Sequence, residues 1–301
     1  MERNVKLIVV LCLVLYACDF SQMVAPLPQP TPTPLYEPTE LLDSWTAYQY
    51  TLELGGVEII YPSELLERPL VFTLYKGNVA TLSTLDREQE LTTIHTYSWY
   101  DMTEESFGAT VADASATYNC SYRLIDDDHL ELRVVEVATN VGSGYYDGEV
   151  AQAESYLLMR GVHPMLTFAE GATSEQLAER EVPEPSSGDP VRGSAWRFES
   201  VSMVFRSGLE ERVSAEVAGV EIELSFDNEG VAWVSIADEE GFSDSASFGY
   251  TYNPGEGEIT FEPNDFFVEG PFRVVRREER LRLLLKESDE EMVVYRFSRV
   301  E

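Results

Sequence analysis

The sequence predicts an all-β protein: two small antiparallel β-barrel or sandwich domains, a divergent repeat, set behind a signal peptide and a proline-rich spacer. Three observations predict it. Short runs with period-two alternation recur along the chain, helical periodicity is nearly absent, and matched landmarks stand in the same order in both halves. Period two places alternate side chains on one face of a sheet, so such runs bounded by turn formers read as half-buried strands. With 301 residues, 44% hydrophobic and 11% aromatic, the chain can bury more than one core.

The N-terminus carries Arg3 and Lys6 and then runs apolar from Leu7 to Tyr16. That is the length of an export-signal core and too short for a bilayer, which needs about 20 apolar residues. The run ends Leu15-Tyr16-Ala17-Cys18, with an aliphatic residue three before the cysteine and a small one just before it. These positions resemble the lipobox of bacterial lipoproteins. The resemblance implies a signal peptide over residues 1–17 and a mature chain that begins at Cys18, the lipid-attachment residue. It also implies a membrane-anchored protein of the cell envelope, facing periplasm or exterior. Acyl chains of the palmitate kind contribute about 0.8 kcal/mol per buried CH₂, so several of them anchor stably where one is marginal. Cys12 leaves with the signal, and Cys120 then stands alone in an oxidising compartment, where it reads as a small buried strand residue.

Residues 18–40 form the lipidated N-terminus and a linker in which Pro26, Pro28, Pro30, Pro32, Pro34 and Pro38 alternate with threonine and other residues. Such spacing favours polyproline II at about 3.1 Å per residue, enough to hold the body roughly 40 Å from a membrane. A first β domain is expected over 41–168, with strands among others at Thr46–Leu54, Leu70–Tyr75, Leu91–Tyr100, Ala116–Leu124 and Leu130–Val137, and turns at Gly55-Gly56 and Asp126–Asp128. An acidic linker follows over 169–193, dense in turn formers from Pro183 to Pro190. Within it Thr173 and Gln176 are spaced as a capping box for a short helix at Ser174–Arg180. A second β domain covers 194–301, with strands from Trp196–Phe205 to Met292–Phe297.

Three landmarks relate the halves: Val79-Ala80-x-x-Ser83 with Val231-Ala232-x-x-Ser235, Ser115-Ala116 and Tyr122 with Ser245-Ala246 and Tyr252, and Tyr156-x-x-x-Arg160 with Tyr295-x-x-x-Arg299. A repeat with unequal offsets requires insertions between strands. Each half opens with a tryptophan, Trp45 or Trp196, and closes with an arginine-bearing strand. In this each resembles a lipocalin-like barrel of the calycin type. The resemblance implies that Arg160 stacks across Trp45 and Arg299 across Trp196, a cation-π contact of about 0.5 to 2 kcal/mol that closes the base of each barrel.

Reactive chemistry has little to stand on. The 54 acids against 21 bases give a charge of -33, which repels nucleic acid and anionic surfaces. His95, His129 and His163 are the only histidines, and no Gly-x-Ser-x-Gly elbow or phosphate-cradling glycine loop occurs, so neither serine hydrolysis nor nucleotide chemistry is expected. The histidines lie 34 residues apart, unlike zinc ligands, and Asp126–Asp128 lack the spaced ligands and glycine of a calcium loop. No catalytic residue, metal or cofactor is assigned. Gly142–Gly148 carries Tyr145, Tyr146 and Asp147, a composition able to stack on a sugar or a partner side chain, and these three are the candidate binding residues. The expected role is non-enzymatic, with the membrane reached through the lipid and the β modules presented to a small ligand or an envelope protein. The alternatives are an envelope carbohydrate-active enzyme with paired carboxylates and a structural spacer or surface protein.

Overall fold

The computed structural model describes residues 39–86, 88–100, 103–112, 117–137, 153–180, 188–238 and 241–300. Cys18, Tyr145, Tyr146 and Asp147 lie outside the described residues, as do Ser115-Ala116 of the middle landmark and 181–187 of the expected linker. From Glu37 onward the chain is one compact unit.

Its first nine strands are β1 (Ser44–Leu54), β2 (Val57–Pro62), β3 (Leu70–Tyr75), β4 (Val79–Leu85), β5 (Leu91–Tyr100), β6 (Ser106–Val111), β7 (Thr117–Leu124), β8 (His129–Val137) and β9 (Ala153–Arg160). The next nine are β10 (Ser194–Phe205), β11 (Glu210–Ser214), β12 (Val220–Phe226), β13 (Val231–Asp238), β14 (Ser243–Asn253), β15 (Glu258–Phe261), β16 (Pro271–Arg277), β17 (Arg280–Lys286) and β18 (Glu291–Arg299). All pairings are antiparallel. The fold is all-β, as the alternation predicts.

The ladders close two circuits of eight strands each. In the first, β3 through β9 pair in sequence, and β1 joins β9 to β3. In the second, β12 through β18 pair in sequence, and β10 joins β18 to β12. The remaining strands, β2 and β11, fold back on the ends of β1 and β10 and pair with each other, Glu210 opposite Ile60 and Val213 opposite Val57. Closure removes the unpaired edges that an open sheet would expose.

Corresponding registers can be followed strand by strand. Trp45 lies opposite Arg160 and Phe72, and Trp196 opposite Arg299 and Leu224. Two residues beyond each tryptophan the pairing slips, skipping Tyr48 in β1 and Glu199 in β10. The slip matters because strict alternation would put Trp45 and Tyr50 on opposite faces; one extra residue returns Tyr50 to the inner face. The skipped Tyr48 instead turns outward and packs under the short helix Phe168–Gly171, its ring 5.9 Å from Phe168. Gly171 is required there, since a Cβ would stand 2.5 Å from Tyr48 Cβ.

The first and third landmarks fall at corresponding places, on β4 and β13 and on β9 and β18. The middle one does not: Tyr122 is on β7, the seventh strand of its half, whereas Ser245-Ala246 and Tyr252 are on β14, the fifth of theirs. Period two reports which face a residue takes and not which strand carries it, so short alternating strands are easily mismatched. The helix at Ser174–Arg180 forms where its capping box predicts, Thr173 N–H donating to Gln176 at 2.9 Å and Gln176 N–H to Thr173 Oγ1 at 3.3 Å.

Arg160 lies over Trp45 at 4.4 Å and also binds Asp43 at 3.1 Å. The second barrel departs from the expected pattern. The guanidinium over Trp196, at 5.3 Å, belongs to Arg276, and Arg299 turns to Glu279 at 3.5 Å. Arg299 has the right register, but its acidic neighbour offers it a partner outside the barrel.

Candidate ligand site in the first barrel

The strand β9 reads Ala153-Glu154-Ser155-Tyr156-Leu157-Leu158, so alternation sends a carboxylate, a phenol and a leucine to the inside. Tyr156 is buried and donates its hydroxyl to the Glu154 carboxylate. Around it stand Tyr50 with ring centres 5.2 Å apart and Phe72 edge-on at 4.7 Å. Across the lumen Tyr97 and Tyr118 meet edge-to-face at 6.0 Å.

These residues bound a cavity of about 340 Å³ inside the first barrel, floored by Leu74, Phe107 and Ala109 and reached by Cys120 and Leu132. His95 stands exposed at its rim, 6.0 Å from Tyr97. The volume lies within the range of small-molecule sites, and an eight-stranded barrel is wide enough to hold one small ligand.

The registers explain why this lumen is open. Ala109 holds the place that Phe261 takes in the second barrel, and Cys120 the place of Phe272. Glu154 likewise stands where Val293 does, and Tyr97 where Phe248 does. The second lumen is filled further from the connection between β15 and β16. There Asn264 Oδ1 accepts the N–H groups of Phe266 and Phe267 at 2.9 and 2.8 Å, and Phe267 lies flat on Phe261 at 4.5 Å.

No protein-family model matches the chain, and no curated protein matches it.

The electrostatics of the open lumen follow from the burial of its lining. Burial, and then the charge of Glu154, hold the phenols of Tyr156 and Tyr50 well above their ordinary value. Burial alone pushes the Cys120 thiol up to about 12, which keeps it protonated and poorly nucleophilic. The lumen therefore offers one carboxylate in a neutral, aromatic enclosure. Among the described residues no arginine or lysine is paired with Glu154, so the charge is available to a ligand that brings a donor. Amine and hydroxyl groups on an apolar body fit that chemistry.

The candidate residues Tyr145, Tyr146 and Asp147 lie outside the described residues, in the segment joining β8 to β9, the two strands whose Val134 and Glu154 line the cavity. Asp126–Asp128 sit at the turn between β7 and β8, where Asp126 accepts from Asp128 N–H at 2.9 Å and contacts the His129 ring at 2.7 Å. Cys120 is buried, as expected of it. Of the residues that line the cavity, the sequence points to Ala80, His95, Cys120 and Tyr156 for other reasons and to none of them as a ligand contact. The available signal was Glu154-x-Tyr156-x-Leu158, a carboxylate in phase with a buried face.

Proposed function

We propose that this chain is an exported, lipid-anchored envelope protein, non-enzymatic, whose first barrel binds a small ligand with an apolar body and a hydroxyl or amine head. The observation that carries the reading is the pairing of an open lumen with a carboxylate inside it. A lumen filled by aliphatic and aromatic side chains would need neither. The second barrel serves as a solid module that braces the first through the β2–β11 ladder.

The two modules are read as a divergent repeat. Nine strands follow in the same pairing order, each half has its tryptophan opposite an arginine, and each slips register two residues later. The anchor is read from Leu15-Tyr16-Ala17-Cys18, and no helix among the described residues is long and apolar enough to cross a membrane. Lipid attachment is tested by replacing Cys18 with serine, which abolishes fatty-acid incorporation if the reading holds. Ligand binding is tested by native mass spectrometry of protein purified from its envelope. A retained small molecule, absent from the Glu154→Gln variant, supports the reading; bare protein across several preparations contradicts it.

A further inference from the structure

Register by register, three polar groups of the first lumen replace apolar ones of the second. Glu154 stands where Val293 does, Tyr50 where Val201 does and Tyr97 where Phe248 does. The three gather around one carboxylate. Tyr156 donates its hydroxyl to Glu154, and its ring lies 5.2 Å from that of Tyr50. Burial raises the phenols of Tyr50, Tyr97 and Tyr156, and the Glu154 charge raises each of them further. Tyr118 meets Tyr97 edge-to-face at 6.0 Å, so four phenol rings and one carboxylate border the same cavity.

Such an enclosure discriminates among ligand heads. An acidic head meets Glu154 as a like charge, and the net charge of -33 disfavours anions before they arrive. A hydroxyl can donate to Glu154 but leaves its charge without a counterion. Among the described residues no arginine or lysine supplies one, and residues 138–152, which join β8 to β9, contain neither. A primary ammonium balances the charge but brings three N–H donors, each of which needs an acceptor where water is excluded. Much of the remaining lining is ring and aliphatic surface, from Phe72, Leu82 and Ala109 among others, and accepts no hydrogen bond. A fully alkylated ammonium has no N–H to satisfy, and its methyl groups rest on ring faces as quaternary ammonium ligands do in aromatic cages.

We propose that the first lumen selects an alkylated ammonium head of the trimethylammonium type, with Glu154 as its counter-charge and the rings of Tyr50, Tyr97, Tyr118 and Tyr156 as its walls. This rests on the reading of the lumen as a ligand site and narrows the head from hydroxyl or amine to a permanent cation. The floor of Leu74 and Phe107 takes the apolar body.

The test is calorimetry on the full chain at physiological ionic strength with benzyltrimethylammonium, benzylammonium and benzyl alcohol, three heads on one body. Benzyltrimethylammonium is expected to bind tightest, at least about tenfold tighter than benzyl alcohol. That ranking is read on the parent and needs no variant to fold. Glu154→Gln, which keeps the shape and removes the charge, should weaken benzyltrimethylammonium at least about tenfold and leave benzyl alcohol nearly unchanged. Tyr97→Leu, which removes a ring face, should weaken the cation about threefold or more, and Tyr97→Phe, which keeps the face, should bind it as the parent does. Benzyl alcohol binding as tightly as benzyltrimethylammonium leaves the ligand site standing and overturns the cationic head. Benzylammonium binding tightest overturns the alkylated head, and unchanged cation binding in a folded Glu154→Gln chain overturns the assignment of its counter-charge. No heat with any of the three overturns the proposal; the ligand-site reading falls with it only where 1-aminoanthracene, a neutral apolar amine, also fails to bind.

Discussion

In the second barrel the lumen holds Phe226, Phe248, Phe261 and Phe272, with Phe267 folded in from a connection; at the matching registers the first barrel holds Leu74, Tyr97, Ala109 and Cys120. Two circuits with one wiring diagram therefore have opposite interiors. The backbone sets the width of the lumen, and a few side chains decide whether it is solid. The difference also moves a carboxylate inward, because Glu154 stands where Val293 does, while Tyr156, which donates to it, has a phenol counterpart in Tyr295.

The largest effect should come from emptying the solid barrel. Phe272 is fully buried, and Phe272→Ala is expected to cost about 3–5 kcal/mol in urea unfolding, with a lumen that begins to take up apolar dyes. A loss below about 1 kcal/mol would mean that the rings are not packed as described.

Alkaline pH should part the two barrels next. Cys120, at about 12 when folded, and Tyr48, also at about 12, stand above the values they take unfolded. Their contribution is full below pH 9, diminishes as pH rises past the unfolded values, and is gone above about 12. The first barrel also carries Tyr50, Tyr97 and Tyr156, all raised by burial, so it should loosen before the second. Alkylation of Cys120 measures this directly: slow at pH 8, and accelerating above pH 10 by more than thiol ionisation alone explains.

The two tryptophan clamps should differ by less. Arg160 combines the face of Trp45 with Asp43 and the Glu40 and Asp127 carbonyls, whereas Arg276 holds Trp196 from farther away and donates to the Pro190 carbonyl. Arg160→Met is expected to cost about 1–2 kcal/mol and Arg276→Met about half that, by denaturant midpoint. Equal costs would remove the distinction.

The smallest contrast concerns one polar atom. Trp99 and Tyr250 hold corresponding positions, but the Tyr250 hydroxyl donates to Asp189 at 3.1 Å while the buried Trp99 indole N–H has no acceptor among the described residues. Tyr250→Phe should cost about 1 kcal/mol, and Trp99→Phe should lose less than its volume suggests, because an unsatisfied donor is removed with it. Thermal midpoints of the two variants check the ordering.

Much of this architecture is legible in the chain, for physical reasons. β3, β12 and β15 could be read to the residue because Val220–Phe226 and Glu258–Phe261 alternate cleanly and Leu70–Tyr75 is a continuous run of apolar, β-branched and aromatic residues. β11 escaped because Glu210-Glu211-Arg212 shows no apolar period; it is held by a buried ion cluster and two flanking ladders. The cavity escaped for a different reason. Emptiness arises from Ala109, Cys120 and Glu154 meeting across three strands, and no local pattern records that Ala109 and Cys120 are smaller than the space between the strands requires.

The most direct measurement is a titration of 1-aminoanthracene, an apolar amine, into the parent chain and into Ala109→Phe, which installs in the open barrel the residue that fills the closed one. The account predicts saturable fluorescence enhancement with the parent, weakening in Glu154→Gln and its loss in a folded Ala109→Phe. Unchanged binding in Ala109→Phe would place the ligand elsewhere and contradict the account.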